Sequence, residues 1–144
     1  MGRVKLVEQP VYQFCYDYTV KVRDINYGGH LSNDALVGII HEARIDLLHS
    51  VGCSELNLGD GETGLIMGDL AVNFVKESFM HDDLIVYTHI DEIKNSSFRV
   101  FYKLVRGTEV IALAETGLIA FNYKEKSIGS IPDFFIEQVS KAES

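Results

Sequence analysis

Two cysteines, Cys15 and Cys53, are all the thiol chemistry in this 144-residue sequence. They make neither a disulfide framework nor a thiolate metal site, and the simplest reading is two ordinary buried thiols. No apolar run approaches the roughly 18 residues that a membrane-spanning helix needs. The first residues, MGRVKLVEQPVYQF, lack the continuous apolar stretch and small-residue cleavage site of a secretory signal. The expected location is therefore the cytosol, with no membrane partner. Positive charge is scarce too, with 13 Lys and Arg against 21 Asp and Glu, a formal net charge of −8. Nucleic-acid binding needs a basic surface that releases counterions, so that class is excluded. An anionic small ligand stays open only if bases gather locally. Lys76, Lys94, Arg99, Lys103 and Arg106 are the candidates, and a solvated strand face is the simpler account of each. Repeats and low-complexity tracts are absent. No cluster of metal-ligating residues is visible, so neither a metal nor another cofactor is expected.

What is present is an ordinary globular composition, 47% hydrophobic and 24% charged. The length fits one domain over residues 1–144, burying roughly 68–70% of the unfolded chain's surface. The organising stretch runs from Asp24 to Gly52. A polar loop carrying Asp24, Asn26, Gly28, Gly29 and His30 leads to helix-start residues Ser32, Asn33 and Asp34. From Asp34 to about Ser50, Leu36, Ile39, Ile40, Ala43, Leu47 and Val51 form one apolar stripe. Val37, Ile45 and Leu48 widen it until only Ala35, Gly38, Glu42, Asp46 and His49 remain small or polar. A helix that is apolar nearly all round is normally buried. Gly52 is placed to cap its end.

Strand patterns flank this helix. Before it, Val11 to Arg23 alternates, with Tyr12, Phe14, Tyr16, Tyr18, Val20 and Val22 on one face. After a loop over 53–63 come strands at Leu65–Val75, Leu84–Glu92, Phe98 to Leu104 and Val110–Tyr123. A polar break at 80–83, a turn at 94–97 and a tight turn at Gly107 separate them. Short turns imply antiparallel pairing. Pro132 to Val139 reads as a short final helix. The fold class is α+β, an antiparallel sheet of about five strands wrapped around one long central helix.

These residues resemble a family. Asp24-Ile-Asn26-Tyr-Gly28-Gly29-His30-Leu-Ser32-Asn33, followed by His41-Glu42-Ala43-Arg44, is similar to the loop and helix motif of the hotdog-fold acyl-CoA thioesterases of the 4-hydroxybenzoyl-CoA thioesterase type. The motif there is Asp-x-Asp-x-x-Gly-His-x-Asn-Asn and then Glu-Glu-Ala-Arg. The resemblance implies a hotdog fold, hydrolysis of an acyl-CoA or acyl-carrier-protein thioester, and a homodimer or homotetramer with sites between subunits. One position departs from it, because Asn26 stands where many of these enzymes carry an aspartate that acts as base or nucleophile. In other branches that position is amidic and the carboxylate sits about two turns into the central helix, across the dimer interface. Glu42 is close to that position, although counting lands on His41. His30 also matches the histidine of the plant acyl-carrier-protein thioesterases, and by the same resemblance the amide of Asn33 holds the oxyanion.

Thioester hydrolysis needs a base in a partly apolar site and preorganised donors for the oxyanion. Glu42, Asn26 and His30 are the catalytic candidates. Asn33, Asp24, Gly29, Ser96 and Ser97 are the substrate-binding candidates, with the two serines meeting the pantetheine arm. Each has an ordinary alternative. Glu42 can be a salt bridge, Asn26 a loop cap, His30 a packed structural histidine, and Asp24 a loop closure. Ser96 and Ser97 can be a hairpin turn, His41 and Asp46 surface or interface residues, and Arg44 a partner for a carboxylate. Two further functions stay open. The loop echoes the Asp-x-Asn-Pro-x-His motif of MaoC-like enoyl-CoA hydratases, without the proline and with the histidine one residue too far. A non-catalytic acyl-CoA-binding or regulatory domain is the other.

Overall fold

The computed structural model describes residues 3–142. Its centre is α1, Asn33–Ser50. Ser32, in extended conformation, starts it by accepting the Ala35 amide on its hydroxyl at 3.3 Å, satisfying one of the N–H groups that a helix end leaves open. After the last turn Gly52 adopts φ +78°, where glycine carries no Cβ penalty. Leu36, Ile39, Ile40, Ala43, Leu47 and Leu48 are all buried to 1% exposure or less. At about 1.5–3 kcal/mol for each large apolar side chain removed from water, this face outweighs any helix propensity.

The face packs on an antiparallel sheet of β1 (Phe14–Thr19), β2 (Thr63–Phe74), β3 (Asp83–Asp91), β4 (Ser97–Arg106), β5 (Glu109–Asn122) and β6 (Ser127–Ile128). The order is β1-β3-β4-β5-β2, with β6 on β5. Val86, Ile90, Phe98, Val100, Leu104, Ala112, Ala114 and Leu118 complete the core. α2 (Asp133–Ala142) adds Phe135, stacked on Phe98 at 4.8 Å. The expected fold is therefore found, one long helix against a sheet of five strands plus the two-residue β6, which carries too little pattern to be read in advance. Among the described residues no helix is long and apolar enough to cross a membrane.

Several local expectations are corrected. The first strand does not reach Arg23. It stops at Thr19, and Val22–Asp24 turns as a 3-10 helix that leaves Val22 74% exposed. The helix is not buried all round either: Ile45, Glu42, Asp46 and His49 lie on an exposed face of α1. Cys53 is buried as expected, but Cys15 is exposed on β1. Residues 4–13, the first of them outside every sequence pattern, form a strap over the sheet's outer face. The Leu6 amide donates to Asn73 Oδ1 at 2.7 Å, and Asn73 Nδ2 donates to the Val4 carbonyl at 2.9 Å. Lys103 reaches Glu8 at 2.9 Å and lies over the Tyr12 ring at 5.1 Å.

One charge is carried into the core. Arg44 is 5% exposed and donates to the Tyr102 hydroxyl at 3.0 Å and to Glu55 at 3.2 Å, while Glu55 also meets His41 at 2.7 Å. Burial alone would raise the Glu55 carboxyl, but the His41 bond and the Arg44 charge outweigh it and hold it below 4.5. A carboxyl lowered in the folded state contributes stability that is present above its unfolded value and is lost as pH falls through the folded one. Arg44→Met is expected to cost about 2–4 kcal/mol in urea unfolding at pH 7, less than for a fully dry pair because Glu55 keeps contact with water. The variant's loss should shrink as pH falls through the lowered wild-type Glu55 value and the carboxylate that Arg44 faces is protonated. A loss unchanged between pH 7 and pH 3 would show that the Glu55 charge is not what Arg44 serves.

Candidate active site

The loop before α1 is held at both ends. Asp24 is buried, accepting the Tyr18 hydroxyl at 2.6 Å and the Lys21 amide at 2.8 Å on Oδ2, while its carbonyl takes the Ser32 amide at 2.8 Å. Burial, and then the bond to Asp24, push the Tyr18 hydroxyl well above its ordinary value. Asp24 thus closes the loop. Asn26 folds the tip: its Oδ1 accepts the amides of Gly28 at 2.9 Å and His30 at 3.2 Å, and its own amide donates to the His30 carbonyl at 2.8 Å. Both loop-cap bonds fall on the oxygen, so the side-chain NH2 takes no part in them. Gly29 sits at φ +84° with open space where a Cβ would be, so the requirement for glycine there is conformational.

Asn26 and His30 meet on the wall of a cleft of about 290 Å³ at the N-terminal end of α1. Leu36 and Ile111 supply buried apolar walls, and Leu31, Phe74, Val75, Lys76, Glu77 and Ser78 complete the lining. His30 Nε2 lies 3.4 Å from a Glu77 carboxylate oxygen, and the ring stands edge-on to Phe79 at 5.6 Å. The Leu31 amide donates to the Ser78 carbonyl at 2.8 Å, tying the loop to the β2–β3 connection.

The other candidates lie elsewhere in the chain. Asn33 is the exposed first residue of α1, near the cleft but not on its wall. Glu42 lines a separate groove with Tyr16, His41, Ile45, Asp46 and His49. Ser96 and Ser97 sit at the β3–β4 hairpin. Ser97 pairs with Ile119, eight residues along β5 from Ile111, which is about 26 Å at ~3.3 Å per residue. One chain therefore joins Asn26 with His30 and leaves Glu42, Ser96 and Ser97 apart. Of the five bases considered for an anion, four are paired: Lys76 with Glu109, Arg99 with Asp69 and Glu115, Lys103 with Glu8, and Arg106 with Asp82. A wider cleft of about 560 Å³, lined by Tyr12, Gln13, His89 and Asp91 among others, shares no residue with the loop. No three His, Cys, Asp or Glu side chains converge as metal ligands among the described residues. Sequence reading missed Glu77 and Phe79, which fall between the strand ending at Val75 and the polar break at 80–83, where no periodicity points at the loop.

A long helix lying on one antiparallel sheet, entered through a glycine loop beside an apolar-walled cleft, defines a hotdog-fold protein. The chain belongs to the thioesterase-like superfamily, whose family model matches residues 20–139. Solved structures agree on the fold. A 1,4-dihydroxy-2-naphthoyl-CoA thioesterase from Synechocystis is 19% identical with TM-score 0.81, over 91% of this chain and 98% of that one. A gentisyl-coenzyme A thioesterase is 21% identical with TM-score 0.78, over 88% and 99%. A hypothetical protein from Staphylococcus aureus in complex with CoA is 16% identical with TM-score 0.83, over 94% and 87%. A search of the curated protein sequences gave no match. The reading of the sequence as a thioester hydrolase agrees with the family and with these neighbours.

The Asp24 brace sets the loop's entry, so Asp24→Ala is expected to lower stability by about 1–3 kcal/mol, leaving the buried Tyr18 hydroxyl and the part-buried Lys21 amide without their shared acceptor. Tyr18→Phe should cost about 1–2 kcal/mol, and the double variant less than the sum. Additive losses in urea unfolding would contradict the brace.

Proposed function

We propose that this chain hydrolyses an acyl-CoA thioester in the cleft at the N-terminus of α1. The observation that carries the reading is the convergence of one imidazole, His30, and one side-chain amide, Asn26, on an apolar-walled cleft at a helix N-terminus. His30 takes a proton from water as its oxygen attacks the acyl carbon. The oxyanion is met by the Asn33 amide, at the positive end of the helix dipole, and by the Asn26 NH2. The C–S bond then breaks, and the thiolate leaves with the proton that His30 accepted, giving free acid and thiol. Leu36, Phe74, Val75 and Ile111 take the first acyl carbons. The neighbour solved with CoA supports coenzyme A as the carrier.

A second assignment of the base has its own support. Glu42 is one of few charges on α1 and lies outside the cleft of its own chain, so it acts only on a thioester bound at another subunit. β2 provides the means for dimerisation. It is a sheet edge of 12 residues, with Ile66, Met67, Leu70 and Phe74 all more than a third exposed, and a long unprotected apolar edge is normally covered. A homodimer joined through β2 is the assembly proposed, with a tetramer as its doubled form. The hydratase alternative is weakened because Asp24 is committed to Tyr18 and Lys21.

Thiol release from short, medium, long and aromatic acyl-CoA substrates tests the activity. His30→Ala and Asn26→Ala are expected to lower kcat by about 10²–10⁴ and 10–10²-fold respectively. Loss confined to Glu42→Gln would move the base to the partner's helix, and tight binding without turnover on any substrate would favour the non-catalytic domain. Sedimentation tests the assembly: wild type should run as a dimer or its multiple and Leu70→Lys as a monomer, and a wild-type monomer would exclude the shared edge.

A further inference from the structure

The polar segment between β2 and β3 is built with more rigidity than a connection requires. The amides of Val75 and Lys76 both donate to the Ile111 carbonyl, at 2.8 and 3.1 Å. Ser78 is 1% exposed. Its hydroxyl and the Phe79 amide converge on Asp82 Oδ2, at 3.0 and 2.9 Å. Arg106 completes the brace, donating from Nη1 to the same oxygen at 2.8 Å and to the Glu77 carbonyl at 3.2 Å. Burial would raise the Asp82 carboxyl, yet the Phe79 amide and Arg106 together hold it below its ordinary value. The brace is thus ionised and intact at neutral pH. What it holds in place is the backbone of Glu77, whose carboxylate faces His30 Nε2 at 3.4 Å.

On the reading that His30 activates the water, we propose that Glu77 is the positioning residue for that imidazole. Its carboxylate draws the ring proton to Nε2, which leaves the Nδ1 lone pair to accept the proton from water. A carboxylate partner sets tautomer and ring orientation in this way wherever a histidine works as a base. Three observations support the assignment. Phe79, on the same braced segment, stands edge-on to the imidazole at 5.6 Å and restricts its rotation. The neighbouring cation Lys76 is engaged by Glu109 at 2.6 Å, so it does not draw Glu77 away. The Leu31 amide bond to the Ser78 carbonyl fixes the loop against the segment that carries Glu77. At 3.4 Å the Glu77 carboxylate lies within ion-pair distance of Nε2. On this reading His30 takes the proton that Asn26 cannot, and Glu77 holds His30 in the state that can accept it.

The test uses the whole chain with an acyl-CoA that it turns over. Glu77→Gln is expected to lower kcat about 10–100-fold with KM within about twofold, and Glu77→Asp to recover part of that loss. In a His30→Ala background, adding Glu77→Gln should change kcat by less than about twofold, because the group it positions is gone. Long-range ¹H–¹⁵N spectra give a readout independent of turnover: His30 should be the Nε2–H tautomer in wild type and a mixture in Glu77→Gln. A kcat within twofold of wild type in Glu77→Gln, a full additional loss in the His30→Ala background, or an Nδ1–H tautomer in wild type would each overturn the proposal. The failure of the hydrolase reading looks different, since wild type would then release no thiol from any substrate. The failure of the His30 assignment is distinct again, appearing as turnover that survives His30→Ala.

Discussion

The interaction on which this molecule depends is the burial of one face of α1 against the inner face of the sheet. Leu36, Ile39, Ile40, Ala43, Leu47 and Leu48 leave water together, against the buried stripe of Phe98, Val100, Tyr102 and Leu104 on β4. Once that face is seated, the position of the helix N-terminus follows. So does the position of the loop that feeds it, since the loop spans only residues 25–32 and is held at its start by Asp24 and at its end by the Ser32 cap. Leu36 serves both purposes at once, as a core residue and as a wall of the cleft.

That economy explains how much was legible in advance. The stripe at helical spacing, the glycine after it and the alternation of β2 to β5 are local patterns. They mark α1, its C-terminal end and the strands to within a residue or two. The first strand was misread because alternation continues through Val20 and Val22, while a single buried carboxylate six residues from Tyr18 pulls the chain into a 3-10 turn. Nothing in the pattern announces that bond. Glu77 and the strap were invisible for a related reason. Their meaning lies in partners 47 and 67 positions away, His30 for one and, for Leu6, Asn73, and period-based reading sees only neighbours. Asn26 and His30 were legible because motif and geometry coincide in one short loop. Glu42, Ser96 and Ser97 were equally legible as residues, but one chain does not bring them to that loop.

The substitution of asparagine at position 26 changes how labour is divided within the loop. A carboxylate there would hold the same Gly28 and His30 amides and also offer itself as a base. The asparagine keeps the first task with its oxygen, and its side-chain NH2 cannot take on the second. On the proposed reading the proton is taken instead by the imidazole of His30. The net −8 of the chain fits this arrangement, because the bases considered for an anion are mostly engaged with carboxylates of their own.

The strap over the outer face carries a consequence for how the chain opens. Its bonds join residues 67 and 95 positions apart, so each closes a long loop of chain. They involve the Asn73 side-chain amide, the Gln13 side-chain oxygen on the Ile90 amide, one ion pair and the Tyr12 ring, and no residue of α1. Such a segment is a separate cooperative unit of low opening free energy. In hydrogen exchange the Leu6 amide reports that unit alone, while amides of β4 beneath it report the unfolding of the whole.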